Sequence, residues 1–259
     1  MGEPALLSGL QAYLRAVAAQ GRERRDAGGF EVFVNLERDA PMSNYAIPRD
    51  GLEPTADDIA QLVGAFEAAS RQPRLEYLPA TAPAAEAVLR EAGFEVELRT
   101  SVMTCTPETL VVAPLPAGGR LQALRAAASL HDVNALTRVQ SEAFGDPHTP
   151  VDRPPAWLGH YLATLARVDG EPAGGGMTLA IAWGTTELVG IAVAERHRRR
   201  GLARAITADL AARAFEAGAT TAFLTPGDAA AERVYAGAGF RPTDEMLHLR
   251  RPTPAAARR

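Results

Sequence analysis

A stretch of this sequence occurs twice, 146 positions apart, and it narrows the possible folds more than any bulk property does. Gly93-Phe94 returns as Gly239-Phe240. At the same offset Leu78 meets Leu224, Ala84 meets Ala230, Ala85 meets Ala231, Glu86 meets Glu232, Val88 meets Val234 and Ala92 meets Ala238. Each copy reads as strand, short proline-containing turn, helix, Gly-Phe, strand. A co-linear run of identities without gaps marks a tandem repeat of one α/β unit. With 259 residues the chain is long enough for two such units. Between them, Ala113–Gly119 (APLPAGG) has two prolines and two glycines and suits a linker. The expected division is a first domain over residues 1–113, a linker over 114–119 and a second domain over 120–259.

Composition excludes several classes. Apolar residues make up 47% and charged residues 22%, with a net charge of −4, which fits a globular protein and argues against a dedicated nucleic-acid binder. No run of 18 apolar residues occurs, so no membrane helix is expected. The start, MGEPALLSGLQAYLRAVAAQ, lacks a basic region before its apolar part and reads as an amphipathic helix rather than a signal peptide. A single cysteine, Cys105, rules out an internal disulfide and points to a reducing, cytoplasmic setting. It lies in the alternating stretch SVMTCT, as a buried strand thiol would. The five histidines show no metal-ligand spacing, and no metal is expected.

In the second half, helices are expected over Asp132–Phe144, within Pro154–Leu165, over Gly201–Gly218 and over Ala229–Ala238. Strands are expected at Leu165–Val168, Gly174–Trp183, Thr186–Ala194, Thr220–Leu224 and Met246–Leu249, with turns at Asp169-Gly170 and Gly184. The chemistry concentrates in IAVAERHRRRGLAR, Ile191 to Arg204. A strand ends, a basic loop follows and a helix begins. The first amides of a helix are unpaired and carry positive partial charge, which makes an anion site. Gly201 lets backbone approach a phosphate, Ala203 is small for the same reason, and Arg198, Arg199, Arg200 and Arg204 add charge.

Arg198-x-x-Gly201-x-Ala203 resembles the pyrophosphate loop of the GCN5-related N-acetyltransferases, Gln/Arg-x-x-Gly-x-Gly/Ala. Asp228-x-x-Ala231-x-x-x-Tyr235-x-x-x-Gly239-Phe240 resembles the second motif of that family, which usually begins with Asn. The resemblance covers roughly residues 120 to 250 and, more faintly, the first half. It implies an α/β (α+β) fold of two tandem domains, each a mixed, mainly antiparallel sheet flanked by helices. It also implies a degenerate first domain. The implied reaction moves acetyl from acetyl-CoA to a primary amine by direct attack, without a metal. Ile191, Ala192 and Val193 would pair with the pantetheine arm, and the amides from Arg199 through Leu202 to Ala203 would hold the pyrophosphate. The acetyl carbonyl would lie near the Val193 end of the strand, Tyr235 would protonate the thiolate, and Asp228 would accept a bond from pantetheine. Other acyl-CoA donors, or a non-catalytic acyl-CoA sensor, fit the same motifs.

An amine must be neutral to attack. For a lysine-like amine roughly one molecule in a thousand is neutral at pH 7, a deficit of about 4 kcal/mol, so a base is expected. Glu187 precedes the loop on the same strand, and alternation would put it on one face with Val189, Ile191 and Val193. The resemblance makes it the candidate base. Trp157 and His160 lie where the family covers its acceptor. The acidic balance favours a cationic amine, small molecule or peptide. All 27 basic residues are arginine, so no lysine of the chain can be its own target. No nucleic-acid or membrane partner is expected, and two linked domains suit a monomer or weak homodimer. At the offset of 146, Gly201 maps onto Thr55, Tyr235 onto Leu89 and Glu187 onto Pro41. Pro54 removes an N–H where phosphate donors should be, so the first half should not hold acetyl-CoA in the same way.

Overall fold

The computed structural model describes residues 3–40 and 43–252; Pro41, the counterpart of Glu187, lies outside them. The chain forms two compact units: one runs to Ser101 and takes up the chain again from Asp244, and the other is Val102–Thr243.

The first unit has helix α1 (Glu3–Ala18) and strands β1 (Glu23–Ala27), β2 (Phe30–Val34) and β3 (Tyr45–Pro48). Helix α2 (Ala56–Glu67), strand β4 (Arg74–Tyr77), helix α3 (Ala85–Glu91) and most of β5 (Glu95–Cys105) follow. The second has β6 (Gly119–Leu124), α4 (Leu130–Phe144), β7 (Ala163–Val168), β8 (Glu171–Thr178) and β9 (Thr185–Val193). Then come α5 (Leu202–Glu216), β10 (Thr221–Leu224) and α6 (Ala229–Gly237), and β11 (Arg241–Arg250) ends the set. In both units antiparallel hairpins lead to one parallel pair joined by a helix: β3–α2–β4 in the first and β9–α5–β10 in the second. A crossover helix is what a parallel pair requires. This is the mixed, mainly antiparallel sheet expected.

The closing strand of each unit departs from the expected division. β4 pairs antiparallel with β11, Leu75 opposite Leu249, and β10 pairs antiparallel with the end of β5, Phe223 opposite Thr104. Each sequence half therefore completes its sheet with a strand from the other. The boundary falls after Ser101, not at Ala113–Gly119. The proline-glycine stretch belongs to the second unit, where Val111 N–H donates to Ala238 O and Asp169 N–H to Gly118 O. Its turn chemistry serves docking rather than a flexible joint.

Local signals explain most elements. Ser129 caps α4 by accepting from Asp132 N–H, and Gly145, at φ 78°, ends it in the left-handed region. β8 carries Gly174 and Gly175, where a Cβ would collide with Ala192 O and Thr164 O, and Gly176, where it would press tightly on Ile191 and Leu210. Without side chains there, α4 and α5 press onto opposite faces of the sheet. The α5 side buries Val193, Leu202, Ile206, Leu210 and Phe240, and the α4 side buries Val133, Leu136, Ala163 and Leu165. The helix expected within Pro154–Leu165 does not form. Residues 156–157 and 159–160 turn around a bridge between Leu158 and Tyr161, with Pro154-Pro155 unable to donate and Gly159 at φ 89° against Ala126. Cys105 is buried, as expected, and burial pushes its thiol pKa up.

Candidate active site

The site arises where β9 outruns its neighbour. The last registered pair between β9 and β10 is Glu187 opposite Phe223, and β9 continues to Val193. Beyond that point the β10 side of the strand opens into a cleft of about 610 Å³. Its floor is Ile191, Ala192 and Val193, one wall is the loop and start of α5, and the other is α6 from Ala230 to Tyr235. Ala143 and Phe144, at the end of α4, close one side. No feature of the sequence singled those two out, because their role comes only from where α4 ends.

The start of α5 is prepared for an anion. Its N-cap is Gly201 at φ 82°, with no side chain capping the helix. Arg199 also sits in the left-handed region, at φ 61°. The first helix amide that reaches a carbonyl is Ala205 N–H, donating to Gly201 O at 3.1 Å. Leu202, Ala203 and Arg204 precede it and line the cleft, and the first amides of a helix, unpaired within it, are the groups that bind phosphate oxygens. Arg199 lines the cleft with them, and Arg200 does not. Arg198 also lines it, but its Nε donates to Val193 O at 3.2 Å, so its first task is to fold the loop back on the strand end. His197 lines the same wall with both ring nitrogens covered and without a hydrogen-bond partner. Its pKa is lowered by lost solvation and then by Arg196 and Arg200, which keeps the ring neutral.

Asp228 is the N-cap of α6: its Oδ1 accepts from Ala230 N–H at 2.8 Å and Ala231 N–H at 2.7 Å. Asn and Asp cap equally well, so the departure from the family's Asn preserves this task. Tyr235 is half-buried on α6, and its phenol pKa is raised by lost solvation and then by the Asp228 charge. It therefore stays protonated, a donor rather than a phenolate.

Other sequence candidates lie elsewhere. Alternation along β9 is broken by a bulge. Gly175 faces Ala192 but Met177 faces Val189, so β9 carries one extra residue, at Gly190 with φ 62°. The bulge inverts the faces. Ile191 and Val193 pack towards α5, and Glu187 and Val189 do not share their side. Glu187 does not line the cleft and stands six residues, roughly 20 Å of extended strand, before Val193. Trp157 packs against the core under α4, and His160 is exposed in the turn that follows; neither lines the cleft. Among the described residues no cluster of His, Cys, Asp or Glu could hold a metal, and no helix is long and apolar enough to cross a membrane.

The equivalent place in the first unit is closed. The α2 N-terminus carries a full capping box: Asp58 N–H donates to Thr55 Oγ1 at 3.2 Å and Thr55 N–H to Asp58 Oδ2 at 2.8 Å. Asp58 Oδ1 also accepts from Gly29 N–H. A carboxylate of the chain occupies the position that α5 leaves open.

Comparison with known proteins agrees with this geometry. Residues 131–240 match the model of the acetyltransferase (GNAT) family. No curated protein sequence matches significantly. Among solved structures, a GCN5-related N-acetyltransferase from Kribbella flavida is 28% identical with a TM-score of 0.82, each chain covered over 97%. A GCN5-related N-acetyltransferase from Sphaerobacter thermophilus shares the fold at 17% identity and TM-score 0.65, covering 86% of this chain and 78% of its own. A tandem GNAT protein from the clavulanic acid biosynthesis pathway does so at 14% identity and TM-score 0.61, covering 86% and 79%. With two matched motifs, an open helix N-terminus beside a strand edge, and these likenesses, residues 131–240 carry an acetyltransferase (GNAT) domain, of a family whose members transfer acyl groups from acyl-CoA.

Proposed function

We propose that the protein is an acetyl-CoA-dependent N-acetyltransferase whose second unit carries the reaction and whose first unit is a degenerate copy that binds no acyl-CoA. The observation that supports this most is the convergence, in one cleft, of uncapped α5 amides, the open β9 edge and a protonated Tyr235. The pyrophosphate would lie on the amides of Leu202, Ala203 and Arg204, with Arg199 adding charge. The pantetheine arm would add to the edge of Ile191–Val193 as a strand would. The acetyl carbonyl then lies along that edge, where a backbone N–H can stabilise its developing charge.

The amine nitrogen attacks the thioester carbonyl carbon and the C–S bond breaks. The sulfur takes the Tyr235 proton, and the new ammonium loses one to a base. With the pyrophosphate beside Val193 the acyl end of the arm lies towards Ile191, four residues or roughly 13 Å along β9 from Glu187, so any part Glu187 plays in that transfer runs through a chain of waters. The acceptor is a primary amine, small molecule or peptide, and the net charge of −4 favours a cationic one.

Calorimetric titration of acetyl-CoA into the wild type and Gly201→Glu tests this. One-to-one binding that disappears in the variant is expected, because the new carboxylate occupies the phosphate position. A panel of diamines, aminoglycosides and lysine peptides, assayed by thiol release, then identifies the acceptor. Equal binding by both proteins would place the cofactor elsewhere.

A further inference from the structure

Gln140 belongs to neither sequence motif and does not line the cleft, yet its Nε2 donates to Gly190 O at 2.8 Å, across 50 residues of chain. Gly190 is the bulge residue of β9, and a Cβ there would come within 2.5 Å of the same amide. The contact adds to an α4 that is already packed on the sheet through Val133, Ala135 and Leu136, the last against Gly175 of β8. The Gln140 bond therefore acts on the strand. A bulge leaves ladder groups unpaired and frees its peptide planes to rotate. The Gly190 carbonyl and the Ile191 N–H share one rigid peptide plane and point in opposite directions. Pinning that carbonyl to α4 fixes the direction of the N–H on the first residue of the cleft floor.

We propose that Gln140 is a positioning residue for acyl transfer: by holding the Gly190 carbonyl it sets the bulge and aims the backbone edge of Ile191–Val193 at the acyl thioester. This rests on the acetyltransferase reading. Cofactor affinity comes mainly from the α5 N-terminus, which Gln140 does not touch, whereas alignment of the acyl group depends on the edge it holds. Its loss falls on kcat and spares binding.

The test uses the full chain with Gln140→Met, which keeps length without a donor, and Gln140→Glu, which donates only when protonated. Acetyl-CoA affinity is measured by calorimetry, and kcat with the amine found in the panel, each variant relative to wild type across pH. Gln140→Met is expected to bind within threefold of wild type and to lose at least tenfold in kcat at every pH. Gln140→Glu is expected to match that loss at pH 8 and to recover part of it, relative to wild type, as pH falls towards 5. An unchanged kcat in Gln140→Met, an equal loss of affinity and kcat, or a Gln140→Glu profile parallel to that of Gln140→Met would overturn the proposal. A wild type that binds no acetyl-CoA, or acetylates nothing in the panel, overturns the parent reading and this one with it.

Discussion

Tyr235 shows how one side chain takes its chemical state from its surroundings. Burial and the Asp228 carboxylate both disfavour the phenolate, so the donor form persists above the usual tyrosine range. The pH–rate profile should therefore show no downturn from this group below about pH 10. Tyr235→Phe should lower kcat by about 10²-fold with acetyl-CoA affinity within a few-fold; a variant with normal turnover would remove the phenol from the mechanism. Asp228 has a different task. Asp228→Asn should leave stability nearly unchanged, while Asp228→Ala should cost about 1 kcal/mol in denaturant unfolding, because two α6 amides lose their acceptor.

Among the elements, α5 and the β4–β11 pair make the most testable demands. Gly201 has open space around its missing Cβ but sits at φ 82°, so Gly201→Ala should destabilise by backbone strain alone, about 1–2 kcal/mol. In the first unit Glu76 on β4 faces His248 on β11 at 3.8 Å, with Arg22 and Arg74 nearby. Lost solvation pushes the Glu76 carboxyl up to about 7, against the pull of both arginines. A folded pKa above the unfolded one contributes stability that is complete below about 4.5 and is lost as pH rises through 7. Glu76→Gln should accordingly raise Tm at pH 8, with the gain shrinking towards pH 4.5. His248 runs the other way. Burial, then Arg74, lowers its pKa to about 4, so stability from the neutral ring is lost as pH falls from 6.5. A thermal scan across pH of both single variants, Glu76→Gln and His248→Gln, separates the two contributions.

At the scale of the whole molecule, the exchanged closing strands decide which pieces can fold. A fragment cut at the proline-glycine stretch, residues 120–259, carries β10 without its neighbour β5 and β11 without its neighbour β4. An unpaired central strand exposes a full edge, so this fragment should aggregate or stay poorly folded. Residues 102–243 hold a complete second unit. They should give a cooperative unfolding transition by circular dichroism, and a cooperative 120–259 beside an unfolded 102–243 would refute the exchange.

What the linear sequence determined is what contiguous residues encode. The pyrophosphate loop and the Asp228 to Phe240 motif each lie within one strand-loop-helix or helix-turn run, so local rules sufficed for their elements. The duplicated segment likewise revealed two related units, and Pro54 marked the one without a phosphate loop. Tertiary structure decided the rest. β5 and β11 carry equivalent positions of the repeat, so no local signal records which sheet each joins. The bulge at Gly190 inverted the face expected from alternation, because one extra residue in a period of two exchanges sides, and that left Glu187 away from Ile191 and Val193. Trp157 turned inward because two prolines and Gly159 replaced the expected helix with turns. Gln140 acquired a partner 50 residues away that only the packing of α4 on β9 could supply.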